Sequence, residues 1–348
     1  MHFAFTDEQA MIAETVRGFF AEHATSARTR KAMAGDGVDR ALWASFCTEL
    51  GLSGVAILED AGGAGLGLVE LAIVAEAAGA QVAALPLLGH VMASQALAVG
   101  GGDRQVLGEL IAGDTIAAYA HRADLSASGD TLNGTIEFVA HGGIADCFVV
   151  TTNDAAWLVA ADAPGLTVTP LTTMDQTRPY ARLTLNGVAG ERLSDPAAAI
   201  SAAHNAGFVV LAAEALGGAQ ACLDRTVGYS LERVQFGRPI GSFQAYKHRL
   251  ADMMVEIEQA RSAVYWAACA IDESSDEAAL AVHAAKSFAA DTFFRCAGDM
   301  IQLHGGIGFT WEHDAHLFFK RARAIQTLLG EGAWHREQIA AMVFGDAA

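Results

Sequence analysis

The chain has 348 residues, more than one ordinary domain needs and enough to bury a large core. Hydrophobic residues make up 52% against 18% charged, an oily balance that points to surface buried against other subunits. With 40 acidic against 22 basic residues, a formal charge of −18 and no Lys/Arg run, a duplex-binding or polybasic membrane role is excluded as the leading idea.

Thr6 followed three residues later by Gln9 is a capping-box start, and Ile12, Val16, Phe19 and Phe20 then recur at helical spacing, so a helix is predicted from near residue 7. The N-terminus carries no basic segment followed by an apolar stretch, which predicts a cytoplasmic protein. Helical patterns continue over residues 42–50 and 68–78, parted by the loop Asp60-Ala61-Gly62-Gly63-Ala64-Gly65. Glu76 and Glu214 interrupt the longest apolar runs, so no membrane span is expected. Gly100-Gly101-Gly102 marks a loop near the first domain boundary. Beyond residue 112 the texture changes: Asn133-Gly134 and Asn186-Gly187 read as hairpin turns, residues 147–152 are a β-branched run, and Ala181, Leu183 and Leu185 alternate with polar neighbours. Asp195-Pro196 is an N-cap and first-turn pair, after which four or five long helices are predicted. The predicted order is a helical segment (1–112), a β-domain (113–194) and a second helical segment (195–348). Five scattered cysteines, with no CxxC and no Cys/His spacing for zinc, read as core thiols.

Three strings could carry chemistry. Arg233-Val234-Gln235-Phe236-Gly237-Arg238-Pro239-Ile240-Gly241-Ser242-Phe243-Gln244 joins two helices, and an Arg beside a Gly-rich turn and a helix N-terminus suits a pyrophosphate. Taken alone, the favoured reading is a helix-connecting turn with solvated arginines. Gln302-Leu303-His304-Gly305-Gly306-Ile307-Gly308-Phe309-Thr310 offers glycines for close backbone approach and a Gln for a purine or amide edge. It is not the dinucleotide fingerprint, since no strand precedes it, and the plain alternative is an interhelical turn. Gly330-Glu331-Gly332 places one carboxylate in a tight loop; facing an apolar cavity such a group is a general base, facing water it is a solvated loop Glu.

In order and spacing these strings resemble the acyl-CoA dehydrogenase family. So do Phe5-Thr6-Asp7-Glu8-Gln9, Leu50-Gly51-Leu52 with Gly62-Gly63-Ala64-Gly65-Leu66-Gly67, and Glu76-Ala77-Ala78-Gly79 near the N-terminus. The resemblance implies a mainly α fold with a central small β-domain: a helical N-domain, a β-barrel-like middle domain and a C-terminal four-helix bundle. It implies FAD as cofactor, with Arg233 reaching the pyrophosphate across a subunit boundary and Phe236 and Gln244 beside it. Gln302, Gly305 and Gly306 look like the segment that closes on the adenosine half from the neighbouring subunit. Glu331 falls where many members carry the catalytic base; the other position used in the family corresponds to Gly207, which has no side chain to serve. The implied reaction is α,β-dehydrogenation of an acyl-CoA to the trans-2-enoyl-CoA, with electrons passed to an electron-transfer flavoprotein.

The middle domain departs from the pattern. Ala118-Tyr119-Ala120-His121 and Phe138-Val139-Ala140-His141 stand where flavin-packing strands are usual, and Ala333, Trp334 and His335 replace a hydroxyl and an amide that help hold FAD. His335 is either a substitute donor or a helix-packing residue. These departures resemble one chain of the heteromeric, steroid-type acyl-CoA dehydrogenases, so a homo- or hetero-tetramer with a second acyl-CoA dehydrogenase-like chain is expected. Two alternatives stay open: a non-catalytic structural subunit of such an assembly, and a flavin oxidase or monooxygenase of the same fold. His304, His313 and His316 around Asp314 are not expected to hold a metal, and Glu214 is expected in a structural ion pair.

Overall fold

The computed structural model describes residues 4–345. Among them come first the helices α1 (Asp7–His23), α2 (Ser26–Met33), α3 (Arg40–Ser45), α4 (Leu68–Ala80), α5 (Leu87–Gly100) and α6 (Arg104–Ala112). The strands follow: β1 (Ala117–His121), β2 (Ser126–Ser128), β3 (Thr131–Ala140), β4 (Cys147–Thr151), β5 (Ala156–Ala160), β6 (Leu166–Leu171), β7 (Tyr180–Ala189) and β8 (Glu191–Arg192). Then come α7 (Pro196–Glu232), the short strands β9 (Val234–Gln235) and β10 (Arg238–Pro239), α8 (Gln244–Asp272), α9 (Ala278–His304), α10 (Ala315–Thr327) and α11 (Gly332–Phe344). The helical, β, helical order read from the sequence is the observed one.

Local chemistry sets the helix starts. The Gln9 amide donates to the Thr6 hydroxyl at 3.2 Å while the Thr6 amide donates to the Gln9 side chain at 3.0 Å, and α1 buries Ala13, Val16, Phe19 and Phe20. At the head of α7 the Asp195 carboxylate accepts from the Ala198 amide at 3.0 Å. This helix is long and apolar enough to cross a bilayer, but its most apolar window is 89% buried within the protein, the pattern of a core helix.

The chain packs as two compact units, each discontinuous in sequence: Ala27–Glu70 with Ala84–Gly207, and Met1–Ser26 with Leu71–Ala83 and Phe208–Ala348. They group residues differently from the linear segments 1–112, 113–194 and 195–348, because α4 and α7 each begin in one unit and continue in the other.

The strand-bearing unit holds two four-stranded sheets, ordered β1-β4-β5-β8 and β2-β3-β7-β6. Only the β1–β4 pair among the described strands is parallel. Phe148, Val150 and Trp157 of the first sheet share a core with Leu132, Ile136, Leu183, Leu185 and Val188 of the second, which gives the expected barrel-like middle domain.

One expectation fails here. Neither Asn-Gly pair is a hairpin turn: Asn133-Gly134 lies inside β3 and Asn186-Gly187 inside β7, with Asn133 opposite Asn186 and a register slip after Leu132. The Gly187 amide donates to the Asn133 side chain at 2.8 Å, and φ is +139° at Gly134 and +67° at Gly187. The positive φ that makes Asn-Gly a turn signal serves a bulge instead.

In the helical unit α4 and α7 cross on glycine. A Cβ at Gly79 would lie 2.2 Å from the Glu214 carbonyl oxygen, and one at Gly217 would lie 1.9 Å from that of Glu76, so each glycine admits the other helix's backbone. Beside this crossing the Arg321 guanidinium donates to the Glu214 carboxylate at 2.8 Å, with side chains 2% and 6% exposed. Glu214 is thus in the structural ion pair expected of it.

Candidate active site

The first string forms a hairpin rather than a simple helix-connecting turn. Arg233 ends α7 with its amide on the Tyr229 carbonyl, and its own carbonyl accepts from Ile240 at 2.9 Å. β9 and β10 pair antiparallel around Phe236 (φ +55°) and Gly237 (φ +77°), the backbone of a type I′ turn. Phe236 is held in that unfavourable conformation with its ring 92% exposed. The Arg238 guanidinium lies 4.0 Å from the centre of the Phe243 ring, and Gln244 opens α8 with no side-chain cap before it.

The second string closes α9. Gly305 has φ +63° and ψ −141°, a region only glycine adopts readily, whereas Gly306 has nothing within 4 Å of where a Cβ would stand. Gly308 serves internal packing, since its Cβ would meet the Ile301 carbonyl at 2.6 Å. The Tyr246 hydroxyl of α8 donates to the Leu303 carbonyl at 3.2 Å, and Tyr229 of α7 stacks on His304 at 4.5 Å. These contacts bring Arg233, Phe236, Gln244, Gln302, Gly305 and Gly306 to one end of the helical unit. All six are exposed, and the side chains of Arg233, Gln244 and Gln302 have no hydrogen-bond partner among the described residues.

Glu331 is elsewhere. It is the N-cap residue of α11, exposed, following a left-handed pair at Leu329 (φ +53°) and Gly330 (φ +100°). Beneath it Lys286 of α9, wholly buried, donates to the Gly330 carbonyl at 3.0 Å. Burial pushes the Lys286 ammonium down to about 8, against the pull of Asp291 and Glu331. The Ser287 hydroxyl donates to the Gly332 carbonyl at 3.3 Å. Lys286 and Gln302 are roughly 16 residues apart on one helix, or roughly 24 Å at the helical rise. One chain therefore does not bring Glu331 together with the Arg233 end.

His335 faces inward. It is fully buried, its Nδ1 lies 2.7 Å from Nδ1 of His283, and its ring packs on Phe208. Burial, then Lys286 and His283, push it down to about 3, so it is a neutral packing residue and not a surface donor. His304 is fixed by a 2.7 Å bond to the Met300 carbonyl, which makes its Nδ1 the donor, and it stacks on His313. Asp314 accepts from Ser26 at 2.6 Å and from Arg225 at 3.1 Å. Among the described residues no group of three or more such side chains is arranged for a metal.

In the strand-bearing unit, the Ala118–His121 string, expected to depart from the flavin-packing pattern, is bonded to Thr151 and His204. The Thr151 hydroxyl donates to Tyr119 at 2.9 Å, His121 Nδ1 lies 3.0 Å from Thr151, and Tyr119 lies 3.3 Å from His204 Nε2. Burial pushes His204 down to about 4 and Tyr119 up to about 12. Phe138 projects from β3, 65% exposed.

A cavity of about 880 Å³ in the helical unit is lined by Arg17, Glu76, Gln220, Arg261 and Tyr265 among others, and none of the seven candidate residues borders it. Its polar groups satisfy one another: Glu76 accepts from Arg261 at 2.5 Å and from Tyr265 at 2.6 Å. It is not the site the motifs describe.

Residues 6–110 match the family model described as acyl-CoA dehydrogenase, N-terminal domain, and residues 198–344 match the one described as acyl-CoA dehydrogenase, C-terminal domain. The chain belongs to the acyl-CoA dehydrogenase family. Among its relatives, acyl-CoA dehydrogenase IpdE2 of Mycobacterium tuberculosis is 40% identical over 328 residues, covering 93% of each chain. Among solved structures, the Tcur3481-Tcur3483 steroid ACAD G363A variant matches with a TM-score of 0.90 at 31% identity, over 97% of this chain and 98% of that one. The ChsE4-ChsE5 complex from Mycobacterium tuberculosis matches with a TM-score of 0.91 at 29% identity, over 100% of both chains. All seven candidate residues fall within the C-terminal match, whereas Ala118–His121 and Phe138–His141 lie between the two matches.

Reading the sequence missed Lys286, the His283–His335 pair and the Tyr119–Thr151–His204 group. Lys286 left one signal: it falls on the buried stripe of α9 formed by Val282, Ala289, Phe293 and Cys296.

Proposed function

We propose that this acyl-CoA dehydrogenase oxidises an acyl-CoA thioester to its trans-2-enoyl-CoA with FAD, inside an assembly where a second acyl-CoA dehydrogenase-like chain shares each flavin site. The observation that carries this is the separation along α9. The Arg233 end and the Glu331 turn are anchored roughly 24 Å apart along α9, which supports a site that each chain completes only in part.

The donor set suits the cofactor. Arg233, Gln244 and Gln302 keep unspent hydrogen-bonding groups for a diphosphate and an adenosine, and the open space at Gly306 lets another molecule reach the backbone. Phe236 offers an exposed ring beside them. When bound, FAD supplies the hydride acceptor. Glu331 takes the α-proton onto its carboxylate, the electrons of that C–H bond form the new double bond, and the β-hydrogen leaves with its own bonding pair as hydride to that acceptor. The double bond forms between the two carbons, and the two electrons pass on to an electron-transfer flavoprotein. Because Glu331 is exposed on its own unit, the apolar surroundings a base needs come from outside it. The likeness to a steroid ACAD supports a bulky, steroid-derived acyl group.

Flavin content and acyl-CoA turnover, measured on the chain alone and on the complex co-purified from its source, test this. A chain that alone holds a full complement of FAD and turns over as a homo-oligomer contradicts the need for an unlike partner. A second reading, that this chain donates flavin contacts while its partner carries the base, is favoured by the self-bonded Tyr119–His121–Thr151–His204 group. Undiminished turnover of the complex with Glu331→Gln would establish that second reading.

A further inference from the structure

We infer that Lys286 is a positioning residue for the reaction, holding the turn that presents Glu331 by donating from below to the Gly330 carbonyl; the inference rests on Glu331 being the base. The turn runs through two left-handed residues, Leu329 at φ +53° and Gly330 at φ +100°. For leucine that conformation is unfavourable and persists only where surrounding groups impose it. The Gly330 carbonyl accepts from Lys286, whose side chain reaches it from α9, where it is 0% exposed, and the His335 ring approaches the Leu329 and Gly330 backbone from beside it.

A buried ammonium is expensive, and a core position on α9 would ordinarily take an alanine or leucine. On its inner side the neighbours are the neutral pair His283 and His335, 2.7 Å apart at Nδ1, with Phe208 against them from α7, while Asp291 and Glu331 attract the ammonium from the outer side. The remaining charged groups lie outward. Asp291 of α9 is tied to Gln326 at 2.8 Å, and Arg336 of α11 reaches Ser287 at 3.1 Å. Among the described residues the hydrogen bond made by Lys286 is to the turn. Ser287, one residue on, holds the other flank of the same turn at the Gly332 carbonyl. Two adjacent residues of α9 thus clamp the backbone on either side of Glu331, which fixes where its carboxylate starts. A displacement of about an ångström in a proton-abstracting group lowers rate far more than binding.

The test uses the intact assembly and follows exchange of the substrate α-hydrogen with solvent deuterium, which reads proton abstraction without hydride transfer. Lys286→Met, which keeps volume and removes the donor, is expected to lower the exchange rate and kcat by about tenfold or more while KM changes less than about threefold. Lys286→Gln, which keeps an N–H donor, is expected to recover part of that loss, and it carries the test if the Met variant does not assemble. Exchange at the parent rate in both variants overturns the inference. Glu331→Gln run alongside separates the two claims: if it exchanges normally, the base assignment falls; if it is dead while the Lys286 variants are normal, only the positioning role falls.

Discussion

The Nζ of Lys286 lies 3.0 Å from the carbonyl oxygen of Gly330, a buried cation whose hydrogen bond among the described residues goes to the turn before Glu331. Burial pushes this ammonium from 10.5 to about 8, so between those values the unfolded chain binds more protons than the native one. Stability contributed through this residue therefore rises with pH across that window and is lowest below it. Urea unfolding from neutral pH to the upper end of the window should show the rise in the parent, and Lys286→Met should lack it.

The buried histidines act on the acid side. His90, edge-on to Trp43, is pushed to about 4 and His335 to about 3, each by burial first. Both are neutral when folded, so stability is fully present above the ordinary value of 6.5 and is lost as pH falls below it. For His90 the loss by pH 4 is of the order of 3 kcal/mol. Melting temperature followed from neutral to acid pH should fall steeply below 6.5, and less steeply in His335→Phe.

The glycine crossing of α4 and α7 sets a steric contrast. Gly79→Ala and Gly217→Ala drive a methyl into a backbone carbonyl and are expected to destabilise by about 2 kcal/mol or more. Gly108→Ala in α6, where nothing lies within 4 Å, is expected to stabilise by about 0.5–1 kcal/mol through helix propensity. Equal melting temperatures across the three variants would contradict the close approach.

Breaking the Glu214–Arg321 pair on one side removes the ion that balances a buried charge. Arg321→Met is expected to lose about 3–5 kcal/mol, and adding Glu214→Leu to recover most of it. A double-mutant cycle in urea measures this directly.

Much of the fold was legible because local signals and tertiary context agreed. Thr6 and Gln9 cap α1 as their spacing says, Asp195 starts α7, and Ala181, Leu183 and Leu185 point into one core. Asn133-Gly134 and Asn186-Gly187 misled because a positive φ fits a bulge as well as a turn, and only cross-strand register decides which. The site strings could be found from their wording, but not their partition. That the helix ends bearing Arg233 and Gln302 are joined through Tyr229 and Tyr246, while Glu331 sits over Lys286, depends on where along α9 each neighbour docks. His335 was open between two roles because burial, not sequence, chooses between them.

The shared flavin site is tested most directly by the FAD stoichiometry of the assembled complex carrying Arg233→Ala in this chain alone. Arg233 is exposed and makes no side-chain hydrogen bond among the described residues, so melting and assembly should be unaffected while flavin is lost from the sites this chain completes. Full flavin occupancy with unchanged turnover would contradict the sharing of the site.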